Sequence, residues 1–350
     1  MSDPENSCSQ PSAAPGATSV PVPPSDLVVV PGWEQVFRVD VGGTIAFVAL
    51  HAVLAGHAFG GIRIRDYAAE ADALEDAKRL SQGMSRKVVL AGIDGGGGKS
   101  VILVPDDASG WDRAASVRAL GAFVQSLGGR YHCGPDYGFT EADDSELRKT
   151  TEYVACAGLG DATARGVEAA LRAVCPEPTR VAIQGLGAVG GPLAESLISA
   201  GVEVTAAEPR LADGSARSGS AGRIVPPEEI YDVEADVFAP CAAGGVLDAA
   251  TIPRLRCGLV CGAANSPFAA AGDADLLHAR GIDYVPDVIA NAGAAAVGAS
   301  RALGQGEHAD ERIAGIGSMA REIVARARAE GRSPHHVAVE LADARIAALR

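Results

Sequence analysis

The chain has 350 residues, enough for two domains of ordinary size, each with a core of its own. Hydrophobic residues make up 47% and aromatics only 4%, so those cores must be built from Ala, Val, Leu and Ile. A formal net charge of −14 argues against nucleic acid or an anionic membrane as partner and favours a small-molecule role.

Residues 1–26 are rich in Ser, Pro, Ala and Gly, lack the positive start and apolar run of a secretory signal, and read as a disordered tail. No apolar stretch reaches the roughly 18 residues that suggest a membrane span. The seven cysteines show no CxxC pairing and read as reduced thiols of a cytoplasmic protein. Cys257 and Cys261 have no His or Cys pair nearby, so no metal site is expected.

The first unit is expected over residues 27–150. Arg38-Val39-Asp40 and Ile45 to Leu50 are strand-like runs around the turn-forming Gly42-Gly43. From Tyr67 to Met84, helical spacing puts Ala73, Ala77, Leu80 and Met84 on one face. The run Gly95 to Ser100 then admits two readings. A nucleotide phosphate loop needs a glycine where Ile93 stands and a helix after the lysine, but Val101-Ile102-Leu103-Val104 is strand-like. The other reading is a glycine-rich turn that delivers Lys99 into a cleft, with Lys87 as a second lysine. Two converging lysines suit a substrate that carries a carboxylate and needs an amine base. A further helical pattern through Leu127 leads into the loop Tyr131 to Asp136.

The second unit is expected over residues 151–325. A helix from about Thr163 to Val174 precedes the break at Pro176. The strand Arg180 to Gln184 is followed by Gly185-Leu186-Gly187-Ala188-Val189-Gly190, a helix to Ala200, the strand Val202 to Ala207, and Glu208. A glycine turn between strand and helix, with an acid about 20 residues on, is the dinucleotide fingerprint. Glu208 would accept hydrogen bonds from the ribose hydroxyls and repel a 2′-phosphate, favouring NAD, while Arg210 leaves room for NADP. Later strands end near Cys241-Ala242, Ala264-Asn265 and Asn291, and in a parallel sheet such carboxyl ends line the cofactor crevice. Cofactor contacts are therefore expected at Gly185, Gly187, Ala188, Val189, Gly190, Glu208, Cys241, Ala242, Ala264 and Asn291. Residues 310–350 read as helices, and those from about 326 are expected to return to the first unit.

The strings Gly60-Gly61-Ile62-Arg63, Met84 to Lys87, Gly96 to Lys99, Gly134-Pro135-Asp136, Gly185 to Gly190, Ala239 to Ala242, Gly262 to Asn265 and Pro286 to Gly293 occur in the order of a known family. On them the chain resembles the leucine, valine and phenylalanine dehydrogenase branch of the amino-acid dehydrogenases. The resemblance implies an α/β protein of two domains, an N-terminal substrate and oligomerisation domain and a Rossmann-type NAD-binding domain, with a cleft between them. It also implies reversible NAD-dependent oxidative deamination of an L-amino acid to its 2-oxo acid and ammonia, in a homo-oligomer. In the family's pattern the substrate carboxylate falls to Lys87, general acid/base work to Lys99 and proton shuttling at nitrogen to Asp136, with Gly61 and Gly134 at the substrate. Thr151, Thr163 and Asn265 match positions around the nicotinamide and the carboxylate. Alone, each lysine reads as a solvated surface group and Asp136 as a turn former.

Three departures stand out. The loop from Cys156 to Thr163 is short for the family, Ser266 replaces an asparagine, and Leu211 to Ser220 is Ser/Gly/Ala-rich. Phe59 stands where glutamate-specific relatives carry a lysine. A side-chain carboxylate left unpaired there would cost several kcal/mol, which excludes glutamate as main substrate. The opposite wall, Ala295 and Gly298, is enlarged, so a large apolar amino acid such as phenylalanine is expected, with leucine or valine next. A catalytically weak NAD- or amino-acid-binding homologue is the alternative, and a phosphohydrolase using Gly95 to Ser100 a third reading.

Overall fold

A computed structural model of the chain describes residues 20–155, 159–210 and 222–350. The expected tail up to residue 19, part of the shortened loop (residues 156–158) and the stretch Leu211 to Ser220 lie outside the described residues.

The first domain is a mixed sheet backed by helices. Its elements are β1 (Ser25–Leu27), β2 (Gln35–Asp40), β3 (Ile45–Leu50), β4 (Ala58–Phe59), β5 (Ile62–Arg65), α1 (Glu70–Leu90), β6 (Gly96–Leu103), α2 (Arg113–Ser126), β7 (Tyr131–His132) and α3 (Glu141–Leu147). The strand order is β1-β2-β3-β6-β4-β7, with β5 also on β6. β1 begins inside the stretch expected as tail, because Ser25, Asp26 and Leu27 pair antiparallel with Val39, Arg38 and Phe37. α1 runs past the expected end at Met84: Val88, Val89 and Leu90 continue its buried face, and the first left-handed residue is Gly92.

The glycine run is not a turn but the start of β6, the central strand, antiparallel to β3 and parallel to β4 and β5. Close packing requires those glycines. A Cβ on Gly96 would lie 2.1 Å from the Ala52 carbonyl oxygen, one on Gly97 2.0 Å from the Ser85 nitrogen in α1, and one on Gly98 2.7 Å from the Tyr131 ring. Lys99 is thus held by a strand buried along nearly its whole length.

The second domain contains α4 (Gly160–Val174), β8 (Arg180–Gln184), α5 (Gly190–Ser199), β9 (Glu203–Ala207), β10 (Arg223–Ile224), β11 (Val237–Pro240), β12 (Leu259–Val260), α6 (Asp273–Ala279), β13 (Asp283–Tyr284), α7 (Asp287–Ala290) and α8 (Gly293–Ala302). Its strands run parallel in the order β10-β9-β8-β11-β12-β13. The order reverses direction between β8 and β11, the switch point at which open α/β sheets bind ligands beyond their carboxyl ends. The residues Gly185 to Gly190 emerge there.

Two long helices complete the chain, α9 (Ala309–Glu330) and α10 (Pro334–Leu349). α9 covers α4, whereas α10 lies along α1, where Arg86 forms a two-point contact with Asp343 at 2.8 and 2.9 Å. One apolar core runs through the junction, joining Val88, Val89 and Ile93 to Val181, Ile183, Ile323, Val337 and Ile346. No helix among the described residues is long and apolar enough to cross a membrane.

Candidate functional site

β4 and β5 lie on the same side of β6, interrupted at Gly60-Gly61, and Lys99 emerges opposite that break. A methyl on Gly61 would stand 2.9 Å from Asp136 Cβ and 3.1 Å from Lys99 Nζ, so a side chain there would intrude on this pair. Lys99 Nζ sits 2.8 Å from Oδ2 of Asp136, which is carried by the loop after β7. The same oxygen accepts from Arg63 Nε at 2.9 Å. Burial alone would raise the Asp136 carboxyl, but Lys99 and Arg63 outweigh it and hold it at about 2. Burial pushes the Lys99 amine down from its ordinary value, Asp136 opposes that, and Arg63 adds to the lowering.

Lys87, in the last turn of α1, faces the same space from below. Its Nζ is 3.4 Å from Asn265 Oδ1, which also accepts from Asn291 Nδ2 at 2.9 Å. The Lys87 amine is also pushed down, first by burial and further by Lys99, with Asp287 opposing. Asn291 Nδ2 donates as well to the Ala263 carbonyl, which leaves its buried Oδ1 without a partner. A buried acceptor of this kind costs about 1–3 kcal/mol until something donates to it.

A cavity of about 340 Å³ opens from these groups and is walled by both domains: Phe59 and Gly134 from the first, Val189, Ala295 and Gly298 from the second. Thr163 lines it too, although its hydroxyl donates to the Leu159 carbonyl at 3.1 Å. A second space of about 430 Å³ continues past Lys87 and Asp136 towards Arg63, Arg86, Ser266 and Phe268. The structure therefore brings Lys87, Lys99, Asp136, Gly61, Phe59, Gly134, Asn265, Ala295 and Gly298 around one cleft. Thr151 is buried, its hydroxyl accepting from Tyr153 N at 3.1 Å, and it lines neither cavity. Ala264 is buried with its N–H bonded to Pro240, and its neighbour Ala263 lines the cleft in its place. Ser266 holds a left-handed φ of 47° and donates its N–H to Asp287 Oδ2 at 2.8 Å.

At the switch point, Gly185 has φ 92° and packs against Ala242, where a Cβ would stand 2.7 Å from Ala242 Cβ. Gly190 packs against Gly185 and Cys241 at the start of α5, while the space beside Gly187 is open. Glu208, at the end of β9, is buried and accepts from Leu186 N at 2.9 Å and from Arg210 Nε at 2.8 Å. The Arg210 bond, with those of the Leu186 and Arg210 backbone, holds its carboxyl at about 2.

Sequence reasoning missed three side chains at the cleft. Arg63 stood inside a quoted string without a role. Leu159, in the loop read as short for the family, has a side chain 3.2 Å from where a Cβ on Gly298 would be. His132 stacks on Phe59 with ring centroids 5.2 Å apart, and its buried Nε2 has no partner. Burial, aided by the His57 ring, lowers its imidazole to about 4 and so keeps it neutral.

Comparison with known proteins gives this geometry a context. A family model described as Glutamate/Leucine/Phenylalanine/Valine dehydrogenase matches residues 208–305, and one described as Glu/Leu/Phe/Val dehydrogenase, dimerisation domain, matches residues 37–153. The chain is 35% identical to a leucine dehydrogenase of Thermoactinomyces intermedius over 88% of each chain. It is 38% identical to a phenylalanine dehydrogenase of Lysinibacillus sphaericus over 72% of each. Among solved structures, L-tryptophan dehydrogenase from Nostoc punctiforme is similar with a TM-score of 0.78 and 33% identity, over 91% of this chain and 96% of that one.

Proposed function

Because the chain belongs to the glutamate/leucine/phenylalanine/valine dehydrogenase family, we propose that it catalyses the reversible NAD-dependent oxidative deamination of a large apolar L-amino acid to its 2-oxo acid and ammonia. The observation that carries this reading is the Lys99–Asp136 contact at 2.8 Å, inside a cavity whose walls come from both domains. The named relatives act on leucine, phenylalanine and tryptophan, and the apolar wall of Phe59, Ala295 and Gly298 fits a side chain of that kind.

The cofactor fits the residues present. The open space at Gly187 and the start of α5 would receive its pyrophosphate, Glu208 its ribose, and the unpartnered Asn291 Oδ1 its carboxamide N–H. When bound, the nicotinamide supplies the acceptor for the hydride of the substrate α-carbon. Val189, Cys241 and Ala242 would pack beside it.

Lys87 would hold the α-carboxylate, with Asn265 beside it. Asp136 would receive the substrate ammonium and accept its proton through Oδ1, since Oδ2 is taken by Lys99 and Arg63. Lys99, with its proton affinity lowered by burial, would take a proton from the water that adds to the imino carbon and return it as ammonia leaves. The first domain matches a dimerisation model, which supports a homo-oligomer. The test is NADH absorbance on mixing the protein with NAD and a panel of L-amino acids at alkaline pH. Turnover of phenylalanine, leucine or valine, and not of glutamate, is expected. Cofactor binding without turnover of any member would favour a catalytically weak homologue instead.

A further inference from the structure

Asp136 has two cationic partners on one oxygen, and only one of them belongs to the chemistry proposed above. Oδ2 lies 2.8 Å from Lys99 Nζ and 2.9 Å from Arg63 Nε. Arg63 is itself held from behind: its second nitrogen donates to Asp76 Oδ2 at 2.8 Å, and Asp76 accepts from the Tyr67 hydroxyl at 2.8 Å and from Arg79 at 2.7 Å. Both Arg63 and Asp76 are largely sheltered from water, with side chains 17% and 13% exposed. A guanidinium held from behind by Asp76 keeps the one Asp136 oxygen it donates to in a fixed place.

We propose that Arg63 is a positioning residue of this site: by sharing Asp136 Oδ2 with Lys99 it orients Oδ1 towards the substrate nitrogen and keeps the lysine amine ready to accept a proton. The inference rests on the dehydrogenase reading above. A lysine gripped by a carboxylate alone would stay protonated and act poorly as a base. A second cation on the same oxygen divides that attraction and repels the protonated amine, so Lys99 gives up its proton more readily. The charges facing Lys99 are Asp136 from the loop after β7, Arg63 from β5 and Asp76 from α1, with Lys87 on α1 facing it in turn. Of these, Asp136 and Asp76 hold the proton on, while the cations drive it off.

The chain has only four lysines, Lys78, Lys87, Lys99 and Lys149, so 13Cε-lysine labelling resolves each titration by NMR in the full-length protein. Replacing Lys99 with Ala assigns its signal. In Arg63→Gln the Lys99 midpoint is expected to rise by about one pH unit or more, a tenfold gain in proton affinity, with Lys78 and Lys149 unmoved. The alkaline-rising limb of kcat/KM for deamination should move with it, and kcat should fall more than KM rises. Arg63→Lys, which keeps the charge but offers one point of donation for two acceptors, should move the midpoint less while still lowering kcat. An unmoved Lys99 midpoint in folded Arg63→Gln overturns the proposal. If that variant does not fold, an Arg63→Lys protein with both midpoint and kcat unchanged overturns it. The NMR arm reads out whether or not any amino acid is turned over, so failure of the dehydrogenase reading and failure of this one are distinguishable.

Discussion

At the scale of single residues, the cleft is a set of buried polar groups whose partners decide their chemistry. Lys99→Ala removes the amine that lies 2.8 Å from Asp136 and should lower kcat for deamination at least about a hundredfold while NAD still binds, the range for a lost general base; stopped-flow turnover with NAD titration by fluorescence checks both. Gly298→Leu would fill the space beside Leu159 and Ala155 and should shift the ratio of kcat/KM from phenylalanine towards valine by roughly 10–200-fold. An unchanged ratio would place the substrate side chain elsewhere. His132 and His51 make a prediction about pH. Burial holds each imidazole at about 4, below the ordinary 6.5, so between these values the unfolded chain binds protons that the folded one does not. Stability therefore rises with pH through that window, and Tm should fall as the pH drops from 6.5 to 4. His132→Phe removes one of the two groups and an unpartnered nitrogen with it. Its melting curves should show a higher Tm and a shallower fall on acidification.

At the scale of elements, β6 shows how a strand forms without side chains to announce it. Gly97→Ala would drive a methyl to 2.0 Å from the Ser85 nitrogen and should cost about 1–3 kcal/mol or more in denaturant unfolding, as overpacked cores do. Gly315→Ala, on the exposed side of α9 with nothing within 4 Å, should gain roughly 0.5–1 kcal/mol. The same contrast explains what the sequence made legible. Ile45 to Leu50 and Arg180 to Gln184 carry their strand state in branched apolar side chains, and the glycine fingerprint carries the switch point in its spacing. Gly96 to Gly98 have no side chains to show a period, and their strand state comes from α1, β3 and Tyr131 pressing on their backbone. That contact spans distant parts of the chain and left the run to be read as a turn. Lys87, Lys99, Asp136 and Asn265 were nameable through the family strings, whereas the roles of Arg63 and His132 depend on Asp136 and Phe59, each 73 positions away, and that of Leu159 on its packing against Gly298.

At the scale of the whole molecule, Glu208 lets one measurement test the cofactor choice: NAD should exceed NADP in kcat/KM by one to several orders of magnitude, because a 2′-phosphate would meet a buried carboxylate. Equal use of both would mean that Arg210 has turned from Glu208 to the phosphate. The junction between domains is apolar and continuous, and α10 ties it with the Arg86–Asp343 pair, so scanning calorimetry should show one unfolding transition. Two resolved transitions would show that the domains melt independently. The central place of β6 also sets an order of events during synthesis. β2 and β3 can pair once residue 50 has left the ribosome, but β5 has no partner until residues 96–103 follow. A nascent chain that has passed Leu90 but not yet completed residues 96–103 therefore shows one open edge of β3 and the apolar face of α1 that β6 will cover, the form in which capture by a chaperone competes with mispairing between neighbouring chains.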